Sequence, residues 1–418
     1  MSVDIVKLSD ICDLQNGFAF KSSDYVSESN VLSCRMSNIR PGGTFDISYN
    51  PRYLPNNFVE KYSAFILNDG DVVIAMTDLA NSPKILGVPS IVKSNGKKVL
   101  LNQRVGKLLI RDRNRVYFPY LQYSLNHPET RLQYSKFAGG GLQINLGKAD
   151  LLSIKIPLPP LETQKKIALV LDKADKIRQK RKKALLKMDE LIKSVFLDMF
   201  GDPVTNPMGW EKVKLGNLLE FLTSGSRGWA KYYSTSGAIF IRIQNVKNGE
   251  LLLDDLQFVL PPKNVEAKRT KVRVGDLLLS ITADLGRTAV VDEKTSKLGA
   301  HISQHLALLR LKSSVNPYYL SEFLESRAGV TQFINSDQKG VKSGLNFDKV
   351  KNLNILLPQI EIQNSFSNKL NKIKLQKNKI TQGVFEINNL FNSLLQKAFK
   401  GELNFNEDYI QKFLDSES

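Results

Sequence analysis

The sequence is short of cysteine, and its two cysteines, Cys12 and Cys34, lie in apolar, strand-like surroundings. Two thiols are too few for a disulfide framework and too isolated for a metal cage. The first residues, MSVDIVKLSD, hold no apolar core of signal-peptide length, and no apolar run approaches the length that spans a membrane. We therefore expect two buried thiols in a reducing compartment and a cytoplasmic location.

Motifs for catalysis are missing as well. No Gly-x4-Gly-Lys-Ser/Thr loop is present, which excludes the usual ATP-driven motor. Asn316–Tyr319 (NPYY) lacks the second proline of the amino-methyltransferase motif, and Asp292–Lys294 (DEK) lacks the upstream Pro-Asp of a nuclease core. We interpret them as a helix start and a turn. The residues thus predict a chain without a catalytic site.

His301 and His305 have the spacing of a zinc-binding helix, but the glutamate of His-Glu-x-x-His is absent. The segment alternates like a strand, which would place both rings on one face of a sheet. We expect a base-edge contact or a packing role there, and no metal site.

The chain carries a large excess of positive charge, with 59 Lys and Arg against 41 Asp and Glu, a net charge of +18 and a pI of about 9.6. Such an excess indicates a polyanionic partner, nucleic acid ahead of an anionic membrane. The alternative is a basic surface that serves solubility. At 418 residues the chain should divide into two or more domains.

Two blocks of the sequence repeat, with an offset that falls from 207 to 201 residues. Each block ends in a glycine-rich loop, Gly139–Gln143 in the first and Lys339–Gly344 in the second. A drifting offset is what two diverged domains with variable surface loops would show. The matched segments are Asp4–Asp10 with Glu211–Asn217, Arg35–Ile39 with Arg242–Val246, Asp69–Thr77 with Val274–Thr282, and Asn102–Gln103 with Ser303–Gln304.

A long helical pattern occurs twice, from about Leu161 to Phe200 and from about Ile360 to Lys400. Its apolar seam advances by 4, 3, 4, 3 residues, and the second copy repeats the first at a constant offset of 199, with Arg178 and Lys377 as matching polar breaks. A seam of this length requires a partner helix, so we expect the two copies to pair within one chain. The alternative is two unrelated amphipathic helices, each packed on its own domain. The predicted pairing residues are Ile167, Leu171, Ala174, Leu185, Met188, Ile192, Val195, Phe366, Leu370, Ile373, Ile380, Val384, Ile387, Phe391 and Leu394.

The globular blocks consist of short β-branched runs separated by Gly, Pro, Asn and Asp, which predicts mostly strands. Ser124–Ala138 and Tyr318–Ile334 are the expected small helices. The predicted fold is α+β: two similar, mostly β domains separated by two long helices that pair as an antiparallel coiled coil with pseudo-twofold symmetry. The predicted boundaries are 1–158 for domain 1, 159–202 for the central helix, 203–357 for domain 2, 358–402 for the second helix and 403–418 for the tail.

Two basic domains on matched helices, without a catalytic site, suggest a molecular ruler on DNA. A helix of about 35 residues spans roughly 50 Å, and one turn of B-DNA is roughly 34–36 Å. Because the two domains differ in sequence, the target should be asymmetric, with unread base pairs between two half-sites.

Three segments, together with the order domain, helix, domain, helix, resemble the specificity (S) subunit of type I restriction-modification systems. They are Pro159–Gln164 (PPLETQ), Met199–Pro203 (MFGDP) and Asn206–Trp210 (NPMGW). In the second copy Pro160 is replaced by Gln359, and the Phe-Gly-Asp-Pro run becomes Phe399–Leu403 (FKGEL). The resemblance covers essentially the whole chain.

The resemblance implies two target recognition domains that bind double-stranded DNA, and helices that set the spacer and dock two methyltransferase (M) subunits. The chain itself would hold no cofactor. S-adenosylmethionine would be bound by the M partner, and ATP and magnesium by a motor and nuclease (R) subunit, whose presence here the sequence leaves open.

Candidate DNA-binding residues are polar side chains suited to base edges, since Arg and Lys bind guanine, Asn and Gln bind adenine, and Ser and Thr either. Positions repeated in both halves have a structural role as their alternative, because the two domains should read different bases. The candidates are Arg35, Asn38, Arg40, Thr77, Lys84, Gln103, Arg104 and Gln143 in domain 1, and Arg242, Gln244, Asn245, Thr282, Arg287, Gln304, His305, Lys342 and Ser343 in domain 2.

Two other functions stay open at this point. A coiled-coil scaffold that joins proteins without DNA differs by lacking salt-dependent binding to a duplex. A self-contained nuclease or methyltransferase would show activity as a purified chain with magnesium or S-adenosylmethionine.

Overall fold

The computed structural model describes residues 4–80, 83–137, 142–225, 227–336, 344–403 and 405. The chain forms two compact units, Met1–Arg181 with Gly383–Ser418 and Lys182–Gln382, which we call unit 1 and unit 2. Each unit contains a set of short strands and one half of each long helix.

Unit 1 is built from short strands and four small helices before the first long helix begins. Its strands are β1 (Ile5–Lys7), β2 (Cys12–Asn16), β3 (Val31–Cys34), β4 (Tyr53–Leu54), β5 (Ile66–Leu67), β6 (Val72–Ala75), β7 (Thr77–Leu79), β8 (Pro89–Ile91), β9 (Lys98–Leu101), β10 (Val105–Ile110), β11 (Gln143–Asn145) and β12 (Lys155–Pro157). Its small helices are α1 (Phe58–Lys61), α2 (Phe118–Asn126), α3 (Pro128–Tyr134) and α4 (Lys148–Leu152). The first long helix is α5 (Leu161–Phe200).

Unit 2 repeats this plan. Its strands are β13 (Glu211–Lys214), β14 (Leu219–Ser224), β15 (Tyr233–Ser234), β16 (Ala238–Ile241), β17 (Val246–Lys247), β18 (Glu250–Leu251), β19 (Gln257–Val259), β20 (Leu277–Ser280), β21 (Thr288–Val290), β22 (His301–Ile302), β23 (Leu306–Leu311) and β24 (Asn354–Leu357). Its small helices are α6 (Val265–Thr270), α7 (Glu293–Lys297), α8 (Pro317–Glu325), α9 (Arg327–Ser336) and α10 (Phe347–Lys351), and the second long helix is α11 (Ile360–Phe399).

Both units hold a four-stranded antiparallel sheet of the same order, β2-β10-β6-β8 in unit 1 and β14-β23-β20-β21 in unit 2. The central strands β6 (VVIA) and β20 (LLLS) are buried along their whole length. For this reason their sequences are nearly continuous apolar runs and do not alternate between apolar and polar residues. A second sheet in each unit contains one parallel pair, β3 with β9 and β16 with β22. The prediction of an α+β fold with two similar, mostly β domains is confirmed.

The small helices differ from their prediction. The expected helix at 124–138 is a pair, α2 and α3, and the expected helix at 318–334 is the pair α8 and α9. His127 separates the first pair with an extended backbone, φ −62° and ψ 139°, because the proline that follows disfavours helical geometry in the preceding residue. Ser326 separates the second pair, with φ −70° and ψ 168°.

The two long helices pair in antiparallel fashion within each unit. In unit 1 the guanidinium of Arg178 lies 4.3 Å from the ring centre of Phe391, and the Arg181 guanidinium donates to the carbonyl of Gly383. Residue numbers therefore rise along α5 while they fall along α11. In unit 2 the rings of Phe196 and Phe366 are 5.6 Å apart.

Every predicted pairing residue is buried or half-buried. Most of the half-buried positions lie toward the middle of the two helices, and the buried positions lie toward the helix ends. The buried members are Ile167, Leu171, Ala174, Ile192, Phe366, Leu370, Ile387, Phe391 and Leu394; the half-buried ones are Leu185, Met188, Val195, Ile373, Ile380 and Val384.

The polar breaks in the seam have partners. Arg178 pairs with Asp175 one turn earlier on α5, and Lys377 forms an ion pair with Asp189 at 2.7 Å. Gly383 makes room for Arg181, since a Cβ at this position would lie 2.7 Å from the arginine Nη1.

A buried glutamine ties the start of each long helix to its domain. The Gln164 carboxamide accepts from the Tyr117 amide at 2.9 Å and donates to the Pro159 carbonyl at 2.7 Å. Gln363 does the same with Asn316 at 2.8 Å and Pro358 at 2.7 Å. Both side chains are fully buried, so they satisfy backbone groups that water does not reach.

Both cysteines are buried and unpaired, and burial raises the pKa of each thiol to about 12. Among the described residues, no helix combines the length and apolarity needed to cross a bilayer.

Candidate nucleic-acid interface

The parallel strand pair of each unit brings several candidate residues to one sheet edge. In unit 1, β3 and β9 end together at Cys34 and Leu101, so Arg35 and the turn that holds Gln103 follow at the same edge. In unit 2, β16 and β22 end together at Ile241 and Ile302, and Arg242 and Gln304 follow there. Carboxyl ends of parallel strands always meet at one edge of a sheet, which explains the grouping.

Next to this edge in unit 1, one residue holds two candidate segments together through its backbone. Met76 donates to the Arg104 carbonyl at 3.0 Å and accepts from the Leu146 amide at 2.8 Å. The next residue, Thr77, pairs with Asn145 across the two-stranded ribbon of β7 and β11. We call Thr77, Arg104 and Asn145 the cradle of unit 1.

Unit 2 has the same backbone arrangement with different side chains. Ile281 donates to the His305 carbonyl at 3.0 Å and accepts from the Leu345 amide at 2.8 Å, and Thr282 pairs with Gly344 in an isolated bridge. We call Thr282, His305 and Gly344 the cradle of unit 2. The threonine is common to both, while Arg104 is replaced by His305 and Asn145 by Gly344.

The threonine hydroxyl contacts a different group in each cradle. Thr77 donates to Oδ1 of Asn145 at 2.8 Å. In unit 2, Oγ1 of Thr282 lies 2.7 Å from Nδ1 of His305, and the Gln304 amide lies 3.2 Å from Nε2 of the same ring. The Thr282 hydroxyl and the Gln304 amide therefore hold the His305 ring from its two nitrogens.

Asn38 and Asn245 are engaged in structure. Each is 2 % exposed. The Oδ1 atom of Asn38 accepts from the Arg35 amide at 2.8 Å, and Oδ1 of Asn245 accepts from the Arg242 amide at 3.0 Å. Their Nδ2 groups donate to loop carbonyls at 3.0 and 2.9 Å. This geometry supports the structural alternative for the repeated asparagine.

The arginines at this edge differ between the units. Arg242 forms an ion pair with Asp255 at 3.0 Å, and Gln244 donates to the same carboxylate at 2.6 Å. In unit 1, Nη1 of Arg35 is buried with no partner among the described residues. Arg40 stacks on the Tyr49 ring, 3.7 Å from its centre, an arrangement that restrains a guanidinium without neutralising it.

The remaining candidates lie on loops and on the ribbon. Lys84 and Gln103 are exposed, as is Gln143, which faces Leu79 across the ribbon. Arg287 pairs with Asp284 within its own loop. Lys342 and Ser343 lie outside the described residues, as do Gly139–Gly141.

His301 and His305 do not share a face of one strand, contrary to expectation. His301 belongs to β22 and is buried, 5.2 Å from the Trp229 ring centre, and burial, followed by the charge of Lys271, lowers its pKa to about 4. His305 lies in the exposed turn before β23. Within the described ranges no cluster of His, Cys, Asp and Glu could hold a metal ion.

Asn145 was not among the predicted residues, although it lies in the cradle. Its position just after the glycine-rich loop is the only signal the sequence offers, since its partner Thr77 is 68 residues away.

Comparison with known proteins identifies relatives along most of the chain. A family model described as type I restriction modification DNA specificity domain matches residues 2–187 and 207–389. The specificity subunit of the type I restriction enzyme EcoBI from Escherichia coli is 24% identical over 438 residues, covering 95% of this chain and 85% of that protein. The MjaVIII specificity subunit from Methanocaldococcus jannaschii is 31% identical over 199 residues, 46% of this chain and 45% of that protein.

Solved structures share the fold. The crystal structure of a type I restriction-modification S subunit from M. genitalium aligns with a TM-score of 0.58 at 11% identity, covering 96% of both chains. A chain from a study of assembly and conformational transition in a type I R-M system aligns with a TM-score of 0.56 at 20% identity, covering 96% of this chain and all of that one.

Proposed function

Because this chain belongs to the type I restriction modification DNA specificity domain family, we propose that it is the sequence-reading subunit of a type I restriction-modification complex. It recognises an asymmetric, bipartite DNA site, with one half-site bound by the small domain of each unit. The paired helices set the number of unread base pairs and dock two M subunits. The chain acts in the cytoplasm, where its target DNA is.

The observation that carries this proposal is the repeated cradle. Two units place the same backbone frame, with a threonine in common, at the same sheet edge. The other two positions differ: Arg104 and Asn145 in one unit, His305 and Gly344 in the other. Base edges in the major groove are distinguished by donor and acceptor groups of this kind. Unlike cradles predict unlike half-sites. The net charge of +18 supplies the attraction to phosphate that any duplex binding requires.

Exposed apolar side chains on the long helices support the docking of M subunits. Leu186 on α5 and Phe385 on α11, 199 residues apart, are 66% and 60% exposed. These matched side chains would give each long helix an apolar group for an M subunit to cover. The chemistry would then reside in the partners, with S-adenosylmethionine bound by M and with ATP and magnesium bound by an R subunit where one is present.

The test is a methylome experiment with this chain and its M partner expressed in cells that lack both. Single-molecule sequencing of the genomic DNA should detect methylation at one interrupted, asymmetric motif. Expression of M alone should give none, and M should co-purify with this chain. An unchanged methylome with both proteins present contradicts the proposal.

Two further measurements separate the other functions. Duplex binding by the purified complex should weaken steeply as salt increases, whereas a scaffold that joins only proteins would show no such binding. The chain alone, given S-adenosylmethionine or magnesium, should neither methylate nor cleave DNA, and activity of the chain alone would identify it as an enzyme.

A further inference from the structure

Asn145 is the residue of the unit 1 cradle whose chemistry is most specific. It ends β11, its side chain is exposed, and it faces Thr77 across the two-stranded ribbon. Thr77 is only 4% exposed, so its hydroxyl is held in place by the strand that carries it. The hydroxyl donates to Oδ1 of Asn145 at 2.8 Å, which fixes the orientation of an amide that would otherwise rotate in solvent.

An oriented carboxamide matches one base in the major groove. Adenine presents an acceptor at N7 and a donor at N6 on this edge, and Asn or Gln binds both at once. Thr77 uses one lone pair of Oδ1. The second lone pair remains for the N6 amino group, and Nδ2 donates to N7. A two-stranded ribbon is also an element that the major groove admits.

We infer that Asn145 reads an adenine in the half-site bound by unit 1, and that Thr77 is the positioning residue for its amide. The inference rests on the proposed function, since it assigns one contact within that recognition. Unit 2 has Gly344 at the equivalent position, so the half-site bound by unit 2 lacks this contact. The threonine is retained there and holds His305 instead.

The experiment measures competitive binding by the complex of this chain with its M partner, at one fixed salt concentration. The duplexes carry the methylated motif of the wild-type protein, with each base pair of both half-sites changed in turn. Asn145→Ala should reduce the preference for adenine at a single position of the unit 1 half-site by about 10- to 100-fold. Preferences at all other positions should stay unchanged.

Asn114→Ala is the matched control. Asn114 is also an exposed asparagine of unit 1, but it lies beyond the end of β10 that is opposite Arg104. This variant should keep every base preference of the wild-type protein.

Thr77 supplies a second, independent test. Thr77→Val keeps the shape of the side chain but removes the hydroxyl, so the same single preference should weaken. Thr77→Ser restores a donor and should restore the preference. A merely structural role for Thr77 would instead lower binding to every duplex alike.

The outcomes are distinct. Loss of preference at one adenine with Asn145→Ala supports the inference. An unchanged preference, or an equal loss at every position, overturns it while leaving the proposed function intact. A wild-type complex that binds all duplexes equally contradicts the proposed function itself. If Asn145→Ala does not fold, the Thr77→Val and Thr77→Ser variants test the inference instead. In both variants the base preferences at the unit 2 half-site should stay unchanged, which shows that the protein is folded, and only Thr77→Val should weaken the adenine preference at the unit 1 half-site.

Discussion

Unit 1 holds an asparagine amide against its cradle threonine, and unit 2 holds a histidine ring against the same threonine of its own cradle. The backbone hydrogen bonds around Met76 and Ile281 are the same to within 0.1 Å. The frame has been kept while the side chains that face outward have changed. This is the pattern expected when two copies of one domain come to bind different partners on one scaffold.

The attachment of each long helix shows the opposite behaviour. The Tyr120 hydroxyl donates to the Pro157 carbonyl at 2.7 Å, and the Tyr319 hydroxyl donates to the Leu356 carbonyl at 2.7 Å. Residues here repeat at the constant offset of 199. A helix that packs on both a sheet and a partner helix leaves little room for insertion, whereas a surface loop tolerates it.

The largest expected difference between the units lies in an ion pair of the antiparallel sheet. In unit 2 the Arg310 guanidinium donates twice to Asp276, at 2.9 and 2.7 Å, and the Asp276 side chain is 2% exposed. In unit 1 Lys107 contacts Asp71 at 2.6 Å, with both side chains about one-fifth exposed. Removing one partner of a buried pair costs about 3–5 kcal/mol, and the cost falls toward about 1 kcal/mol as water reaches both ions. Only the carboxylate separates the two cases, since Lys107 and Arg310 are exposed to a similar degree.

Asp276→Asn should therefore lower the free energy of unfolding of unit 2 by about 3 kcal/mol, and Asp71→Asn that of unit 1 by about 1 kcal/mol. Both tryptophans, Trp210 and Trp229, lie in unit 2, so denaturation followed by their fluorescence reports this unit. Amide hydrogen exchange reports unit 1. Equal losses in the two units would show that burial does not distinguish these ion pairs.

The sequence predicted the long helices closely because their signal is local and repeated. The expected bounds were about 161–200 and 360–400, and the helices run 161–200 and 360–399. Because the seam has ten positions in each copy, few other alignments of the two helices would bring their apolar residues together. The split between α2 and α3 was missed, although Pro128 marks it, because the apolar pattern continues across His127.

The recognition residues were harder to predict from the sequence, because their availability depends on tertiary contacts. Asn38 has the right chemistry to bind adenine, but its Nδ2 group donates to two loop carbonyls, those of Asp46 and Tyr49. The sequence alone does not show that this loop folds back onto Asn38. Asn145 gains its orientation from Thr77, far away along the chain. Residue type gives the chemistry of a side chain, but burial and hydrogen-bond partners depend on the tertiary fold. The predicted DNA contacts remain predictions.

The comparison of the cradles is sharpened by giving unit 2 the side chains of unit 1. A Cβ at Gly344 would lie 3.5 Å from the Ile281 carbonyl oxygen and 3.9 Å from Cγ2 of Thr282, which is ordinary contact, so the frame has room for a side chain. The double variant Gly344→Asn with His305→Arg should gain about a tenfold preference for adenine in the unit 2 half-site.

Competitive binding with the same set of altered duplexes measures this gain. Gly344→Ala with His305→Arg is the control, because it adds a Cβ without an amide and should gain no adenine preference. If the control and the double variant behave alike, the amide is not the group that reads the base.

The last difference between the units depends on pH and concerns Glu322 on α8, 199 residues after Tyr123 on α2. Burial, followed by the neighbouring Glu325, raises the pKa of Glu322 from 4.5 to about 7, whereas Tyr123 donates a hydrogen bond to Asp172 at 2.7 Å.

Between about pH 4.5 and 7 the folded chain keeps a proton on Glu322 that the unfolded chain has released, so this group makes unit 2 less stable as pH rises through that window. Glu322→Gln should change the free energy of unfolding of unit 2 least at pH 5 and should stabilise this unit increasingly up to pH 8, by as much as about 3 kcal/mol, measured by tryptophan fluorescence in urea. Tyr123→Phe should lower the free energy of unfolding of unit 1 by an equal amount at pH 5 and at pH 8, because neither tyrosine nor phenylalanine titrates between these values. A Glu322→Gln effect that does not change with pH would mean that the carboxyl is already ionised in the folded chain at pH 5.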